Sequence, residues 1–245
     1  MISERIVKYI DEDVLTMAKK RIRHSFDIFD TLWVAFSGGK DSLVTLLLVE
    51  EVRKEIGEKG PTRVFFRDEE LIPDEVISFV QSYFKDTTRF ESRYYAVPLT
   101  SEKYLLGRKT EYIQWDDHRT WIREKPSNAI TQIEGYPQDY IYSQYDMDNA
   151  IASDMKGKVG FFTGIRAQES LVRLQSCTQK KNENYITATK NSKVKLIKPL
   201  YDWSERDVYK YFYDNNITYC PIYDAQMWNG EAFRRMIFRK FDVYI

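Results

Sequence analysis

The sequence is poor in the residues that most often bind metal ions. Its 245 residues include two cysteines, Cys177 and Cys220, and two histidines, His24 and His118. Because the cysteines are far apart and form no CxxC pair, one chain cannot supply a cysteine-ligated zinc site or iron–sulfur cluster. Two histidines make a histidine-based metal site equally unexpected. The sequence therefore predicts a protein without zinc and without an iron–sulfur cluster.

Long apolar runs and a net charge are also missing. No run of about 18 apolar residues suggests a membrane span, and the opening MISERIVKYIDED has no apolar core of a secretion signal. We therefore expect a cytoplasmic protein without a membrane partner. The 37 basic residues balance the 37 acidic ones, so any nucleic acid must be bound by a local patch rather than by a global field.

Apolar residues spaced as in helices and in strands alternate along the chain. The spacing predicts helices over 13–29 and from Asp41 onwards, and strands over 33–36, 63–67 and 93–99. This alternation is typical of an α/β fold with a doubly wound, mostly parallel sheet. The length favours a single domain over residues 1–245. Four basic residues of the first helix are interpreted as a solvated face: Lys19, Lys20, Arg21 and Arg23.

The stretch WVAFSGGKDS, residues 33–42, joins a strand-like run to a glycine-rich turn and a helix start. Glycines let the backbone approach a ligand closely, and the unpaired amides at a helix N-terminus attract anions. The lysine adds a mobile cation, the serines add hydroxyls, and Asp41 offers an oxygen to a magnesium ion between phosphates. A polyphosphate site is therefore predicted, with these candidate nucleotide-binding residues: Phe36, Ser37, Gly38, Gly39, Lys40, Asp41 and Ser42.

An acidic cluster, Asp68 to Glu70, follows the predicted strand over 63–67. Ligands of open α/β sheets bind beyond the carboxyl ends of the strands, which would bring this cluster near the glycine-rich loop. Asp68 is therefore a candidate for contact with ribose or magnesium, and a solvated turn is the equal alternative. For Glu69 and Glu70 the solvated turn is the preferred interpretation.

A second polar motif, GIRAQESLVR, follows the strand-like run over 159–165. An arginine directly after a strand, on a loop that begins with glycine, can direct its guanidinium at bound phosphates. Gly164, Arg166 and Arg173 therefore join the candidate nucleotide-binding residues, with Arg166 as the clamp. The alternative is a structural network in which Glu169 pairs with Arg166 or Arg173, and the motif taken alone favours it.

Two regions interrupt or follow the alternating pattern. Residues from about 100 to 146 are rich in aromatic and charged side chains and predict an insertion that packs as a small subdomain or stacks nucleic-acid bases. The extension from about 200 to 245 ends in EAFRRMIFRKF, which has the pattern of a basic amphipathic helix. Such a helix could contact the site, a partner or a nucleic acid.

Three ordered motifs resemble those of the phosphoadenosine-phosphosulfate (PAPS) reductase family of the PP-loop ATP pyrophosphatase superfamily: SGGKDS, GIRAQES and PLYDWSERDVYKYFYDNNITYCPIYD. Within that family, TEYIQWDDHRTWIREKPSNAI looks most like reductase-like proteins of prophages and mobile elements. These include the immunoglobulin-binding regulator type and, more remotely, the DNA phosphorothioation component. The resemblance covers most of the chain and implies an adenine nucleotide, ATP or PAPS, on residues 37–42 with Arg166 nearby.

The chain departs from true PAPS reductases, which share a C-terminal Glu-Cys-Gly-Leu-His segment with the thiol nucleophile. No cysteine follows Cys220, and both cysteines are expected to be buried structural thiols. The leading hypothesis is therefore cleavage of ATP between the α- and β-phosphates, with Lys40, Asp41 and Arg166 catalytic and Mg²⁺ on Asp41. A nucleic acid or a sulfur-carrier protein would accept AMP.

Two further hypotheses stay open. One is a nucleotide-binding regulator without chemistry of its own, which acts on DNA or on a partner protein. The other is PAPS chemistry with an external thiol. A homo-oligomer is compatible with each of the three.

Overall fold

The computed structural model describes residues 10–105, 108–178, 183–188 and 193–229. Its helices are α1 (Val14–Ile28), α2 (Lys40–Glu55), α3 (Asp74–Phe84), α4 (Gln144–Ile151), α5 (Leu171–Thr178), α6 (Glu205–Asp214) and α7 (Ile222–Trp228). Its strands are β1 (Thr31–Ala35), β2 (Thr62–Arg67), β3 (Phe90–Tyr95), β4 (Leu99–Leu105), β5 (Arg108–Gln114), β6 (Val159–Phe162), β7 (Ile186–Ala188) and β8 (Val194–Ile197).

The main sheet has the strand order β3-β2-β1-β6-β8-β7. All neighbouring strands from β3 to β8 pair in parallel, and β7 is antiparallel to β8 at the edge. Successive side chains of β1 enter cores on opposite faces, since Trp33 packs with α4 and Val34 packs with α1 and α2. The predicted doubly wound, mostly parallel sheet is confirmed.

The order of the strands places two loops side by side. From β1 the chain adds β2 and then β3 on one side of β1, and it later adds β6 and β8 on the other side. The point at which the strand order changes direction therefore lies between β1 and β6. Ligands of doubly wound sheets bind at the carboxyl ends of the strands that flank such a switch point. Residues 36–39 follow β1 and residues 163–166 follow β6, so both loops meet at this edge.

The prediction of a third strand over 93–99 is wrong in its bounds. β3 runs from Phe90 to Tyr95, and the chain then leaves the main sheet because the amide of Ala96 donates to Ile130 O at 3.0 Å. Pro98 has no N–H to donate to a neighbouring strand, so β3 is expected to end before this residue. Leu99 instead begins the antiparallel hairpin of β4 and β5.

The prediction of a solvated basic face on α1 is wrong for Arg21. The side chain is buried, and its Nη1 and Nη2 donate to the two carboxylate oxygens of Asp202 at 2.7 and 2.6 Å. Nη1 also donates to Pro199 O at 2.9 Å, and the guanidinium lies 4.4 Å from the ring centroid of Tyr201. The long arginine side chain therefore joins α1 to the segment before α6.

The C-terminal segment EAFRRMIFRKF, residues 231–241, lies outside the described residues. Among the residues that the structure does describe, no helix combines the length and the apolar character that crossing a bilayer requires.

Candidate nucleotide-binding site

The glycine-rich loop after β1 has a backbone that its sequence makes possible. Gly38 has a φ of +75°, a left-handed conformation that glycine adopts at little cost. A Cβ at this position would lie 2.7 Å from a methyl group of Val76 and 2.9 Å from one of Val80. Gly39 is the N-cap of α2, and the helix starts at Lys40. The loop therefore passes close to α3 and opens directly into a helix N-terminus.

The two serines of the loop hold its shape. The Ser42 hydroxyl donates to Gly39 O at 2.9 Å and accepts from the Ser37 amide at 3.2 Å. The two hydroxyl oxygens lie 3.1 Å apart. Ser37 and Ser42 thus bridge the turn, and their hydroxyls already have partners in the loop itself.

Three backbone donors of the loop have no acceptor in hydrogen-bond geometry among the described residues: the amides of Gly38, Asp41 and Ser42. The first N–H groups of a helix lack intrahelical partners and carry the positive end of its dipole. Loop and helix together therefore present a group of donors suited to an oxyanion at the carboxyl edge of β1.

Lys40 is buried at the start of α2 rather than mobile, with 2% of its surface exposed. Its Nζ lies 3.3 Å from Asp41 Oδ2 and 3.5 Å from Oε1 of Glu205 in α6. The ring centroid of Tyr223 in α7 is 5.3 Å away. The ammonium group is thus held between two carboxylates at the base of the loop.

Arg166, from the loop after β6, contacts the first turn of α2. It is 2% exposed, and its Nε donates to Asp41 Oδ1 at 2.7 Å. Its terminal nitrogens meet no acceptor in hydrogen-bond geometry among the described residues. Gly164 makes this approach possible, because a Cβ there would lie 2.5 Å from the backbone carbon of Asp41 and the amide nitrogen of Ser42. The predicted proximity of the two motifs is therefore present in the structure.

Both carboxylate oxygens of Asp41, the predicted magnesium ligand, face cations in the structure. Its Oδ1 accepts from Arg166, and its Oδ2 faces Lys40. A magnesium ion prefers oxygen ligands that are free to coordinate it, whereas both oxygens here face cations. Within the described residues, no group of three or more His, Cys, Asp or Glu side chains could hold a metal ion by itself, and a magnesium ion bound with a nucleotide takes further ligands from phosphates and water. Asp41 therefore acts as the carboxylate that orients Lys40 and Arg166.

The side chain of Arg173 forms an ion pair with Glu169, one turn earlier. Glu169 also accepts the backbone N–H of Arg166 at 3.1 Å. Burial lowers the pKa of the Arg173 guanidinium, and the negative charge of Asp41 partly offsets this effect. Arg173 thus lies within electrostatic range of the loop, while Glu169 fixes the backbone that carries Arg166.

The acidic cluster after β2 is buried, so its interpretation as a solvated turn is wrong. The Asp68 carboxylate pairs with Arg123 and accepts from the Tyr94 hydroxyl at 2.5 Å. Burial raises the pKa of Asp68 despite these two partners. Asp68 therefore joins β2 and β3 to the segment around Arg123, and its oxygens are engaged by protein groups in this arrangement.

Glu70 stabilises the same segment from the other side. Its carboxylate pairs with Arg119 and accepts the amides of Trp115 at 2.7 Å and Ile122 at 3.0 Å. Burial acts to raise the pKa of Glu70, but the bonds from Arg119 and the two amides outweigh it, and the pKa is lowered. The insertion is thus attached to the carboxyl edge of β2 by ion pairs whose carboxylates are buried and whose arginines are partly exposed.

This arrangement predicts a pH dependence of stability. The folded pKa of Glu70 lies below its ordinary value of 4.5, so its contribution is present above that pH and is lost as the pH falls through the folded pKa. Glu70→Gln, which keeps the shape but not the charge, should cost about 2–3 kcal/mol at pH 7. In urea unfolding between pH 7 and pH 3, the difference in the free energy of unfolding between Glu70→Gln and the natural protein should be smaller at pH 3 than at pH 7. A difference that is constant with pH would contradict the role of the charge.

The remaining predicted residues belong to the core. The ring of Phe36 packs against Phe79, Tyr83 and Phe84 of α3, so it stabilises the strand before the loop. Cys177 and Cys220 are buried, as predicted for structural thiols. Burial raises the pKa of the Cys220 thiol, which disfavours a thiolate at neutral pH.

Sequence reasoning missed two residues that reach the loop from the C-terminal part of the chain. Glu205 faces the Lys40 ammonium, and the Tyr223 hydroxyl accepts the Lys40 backbone N–H at 3.0 Å. Both lie in the long motif PLYDWSERDVYKYFYDNNITYCPIYD. That motif was the available signal, but local spacing does not show which of its side chains contact a loop that lies 165 residues before Glu205 and 183 residues before Tyr223.

Comparison with known proteins finds a relative that matches most of this chain. The uncharacterized protein YbdN of Escherichia coli strain K12 is 27% identical over 235 residues, which cover 91% of this chain. The chain spans 57% of the length of that relative.

Solved structures show the fold. Candida glabrata FMN adenylyltransferase in complex with FAD and inorganic pyrophosphate superposes with a TM-score of 0.56 at 13% identity, over 86% of this chain and 58% of that one. Yeast FAD synthetase in complex with FAD has a TM-score of 0.51 at 12% identity, over 88% of this chain and 65% of that one.

The model of the phosphoadenosine phosphosulfate reductase domain matches residues 31–236, which include the glycine-rich loop, the arginine loop and α6 with α7. The chain belongs to the phosphoadenosine phosphosulfate reductase domain family.

Proposed function

We propose that this chain binds an adenine nucleotide at the glycine-rich loop and cleaves ATP between its α- and β-phosphates. One observation carries the proposal: the unpaired amides of Gly38, Asp41 and Ser42 share one edge of the sheet with two buried cations, Lys40 and Arg166. Burying cations is costly unless they meet negative charge. A polyphosphate would supply negative charge beyond that of Asp41 and Glu205, which face these cations in the structure.

Each group has a defined part in this reaction. The loop amides and Lys40 hold the β- and γ-phosphates, which leave together as pyrophosphate. Arg166 neutralises charge that develops on the α-phosphate while an acceptor attacks the phosphorus. The electron pair of the broken P–O bond leaves with pyrophosphate, and AMP is joined to the acceptor. Positioning and electrostatic stabilisation supply the rate enhancement, so no protein nucleophile is needed.

The acceptor that we propose is an oxygen or nitrogen of a nucleic acid, or a sulfur-carrier protein. The FMN adenylyltransferase is named for transfer of an adenylyl group, the same class of reaction, although the chains share only 13% identity. Sulfonucleotide reduction by this chain's own thiols is less well supported, because Cys177 and Cys220 are both buried. A thiolate nucleophile must be accessible as well as ionised.

The products of ATP turnover test the reaction. We expect pyrophosphate and an acceptor that carries AMP, rather than ADP and phosphate, when the protein is incubated with ATP, Mg²⁺ and a nucleic-acid or sulfur-carrier acceptor. Arg166→Met should reduce this turnover by about 100-fold or more, within the range seen when a transition-state donor is removed. Arg63→Met, which removes an exposed arginine paired with Glu91 on β2 and β3, is the matched control.

Two outcomes would contradict the reaction. Release of ADP would show that the bond between the β- and γ-phosphates is cleaved. Tight ATP binding with no products for any acceptor would favour the nucleotide-binding regulator that the sequence also allows.

A further inference from the structure

Tyr223 in the first turn of α7 lies directly against the phosphate-binding loop. It is 2% exposed, and its hydroxyl accepts the backbone N–H of Lys40 at 3.0 Å. The same oxygen would lie 3.2 Å from a Cβ placed on Gly39. A side chain from the C-terminal part of the chain thus occupies one of the donors at the N-terminus of α2.

The donor that Tyr223 takes is part of the anion-binding group. The Lys40 amide belongs to the first residue of α2, next to the unpaired amides of Asp41 and Ser42. It also lies at the positive end of the helix dipole, where an anion is bound best. A phosphate oxygen on the loop would compete for this N–H.

The hydroxyl is a weaker partner for this amide than a phosphate would be. Burial raises the pKa of Tyr223, so the side chain is neutral at physiological pH. A hydrogen bond to an ionised acceptor is roughly twice as strong as one between neutral groups. A phosphate would therefore make the stronger hydrogen bond to this amide, and this gain would oppose the cost of exposing the Tyr223 ring, which packs in the core.

Tyr223 connects α7 to the loop through its hydroxyl and through its ring, whose centroid lies 5.3 Å from Lys40 Nζ. Tyr219, which precedes α7, makes its hydrogen bond to α7 and not to the loop, because its hydroxyl donates to Asp224 Oδ1 at 2.9 Å. Further along α7, Met227 and Trp228 are exposed. Withdrawal of Tyr223 therefore requires the first turn of α7 to leave the core, where Ile222 and Tyr223 pack, while the far end of the helix is already exposed.

We propose that Tyr223 is an autoinhibitory residue, whose hydroxyl competes with a nucleotide phosphate for the Lys40 amide. Nucleotide binding then withdraws α7 from the loop, and the position of α7 reports whether the site is occupied. This inference rests on the proposed function, because it requires that a phosphate binds the loop. Coupling of this kind is reciprocal: whatever pulls α7 away also raises the affinity for nucleotide.

Removing the hydroxyl alone tests the competition. Tyr223→Phe keeps the ring beside Lys40 and should tighten binding of ATP and of inorganic pyrophosphate by about fivefold, the size of one net hydrogen bond. Tyr219→Phe is the matched control, because its hydroxyl bonds to Asp224 and not to the loop. Calorimetric titration of the full chain measures both ligands.

Hydrogen exchange provides a readout of movement in the unsubstituted protein. On addition of ATP, amides of α7 should exchange faster, while those of the loop and the first turn of α2 should exchange more slowly. A purely supporting role for Tyr223 would leave α7 unchanged or protect it further.

The outcomes separate the two proposals. If the natural protein binds ATP and Tyr223→Phe binds it equally or more weakly, Tyr223 is part of the site and the competition is refuted. If neither protein binds ATP or pyrophosphate, the proposed function fails and this inference fails with it. Faster exchange of α7 together with tighter binding by Tyr223→Phe supports both.

Discussion

Lys40→Met is expected to weaken ATP binding by between about 10-fold and 150-fold, because a hydrogen bond to a charged group contributes about 1.5–3 kcal/mol. The methionine keeps the apolar stem and removes the ammonium that we assign to the departing pyrophosphate. Asp41 keeps its bond to Arg166 at 2.7 Å, whereas Glu205 loses the ammonium that faces it, so thermal unfolding should stay cooperative at a lower midpoint temperature. Calorimetry gives the affinity, and circular dichroism gives the unfolding transition.

The control for this prediction lies on the same helix. Lys54→Met removes a lysine that is 73% exposed and pairs with Glu50, remote from the loop in sequence. Exposed pairs of this kind contribute less than about 1 kcal/mol, so ATP binding should not change. Equal ATP affinity in Lys40→Met and the natural protein would refute the role of Lys40 in nucleotide binding.

Gly164→Ala should disrupt the site without touching any charged group. The added Cβ would lie 2.5 Å from the backbone of Asp41 and Ser42, and backbone cannot rotate away as a side chain can. We expect a loss of about 3 kcal/mol in the free energy of unfolding, at the upper end for overpacking. ATP binding should also fall by more than about tenfold, because Arg166 and the N-terminus of α2 move apart.

Gly135→Ala separates crowding from a general cost of replacing glycine. Gly135 has a φ of +88°, and no heavy atom lies within 4 Å of a Cβ placed on it. Its substitution should cost only the backbone strain of about 1–2 kcal/mol and leave ATP binding intact. If Gly164→Ala were as stable as Gly135→Ala and bound ATP normally, the close approach of the two loops would not be needed.

The sequence was sufficient for the parts of the site that depend on local pattern. The apolar run before Ser37, the two glycines and the helix after Lys40 follow one another directly, so their spacing predicts strand, loop and helix-start amides together. The arginine loop could be placed beside them because β1 and β6 end at the same edge of a doubly wound sheet.

Long-range pairing could not be predicted in this way. Asp68 and Glu70 are buried because Arg123 and Arg119 neutralise them from about 50 residues further along the chain. A run of carboxylates normally lies in solvent, so pattern alone favours the wrong interpretation. The contact of Tyr223 with the loop spans 183 residues and has no local signal either.

The most direct test of the central claim, that the glycine-rich loop binds an adenine nucleotide through its phosphates, is calorimetric titration of the purified protein. ATP with Mg²⁺ and PAPS would be titrated separately into the natural protein and into a Ser37→Ala, Lys40→Ala double variant. We expect ATP to bind the natural protein more tightly than PAPS does, and the double variant to lose this binding. Tighter binding of PAPS would contradict the preference for ATP and favour sulfonucleotide chemistry. Binding of neither ligand would contradict a nucleotide site at this loop.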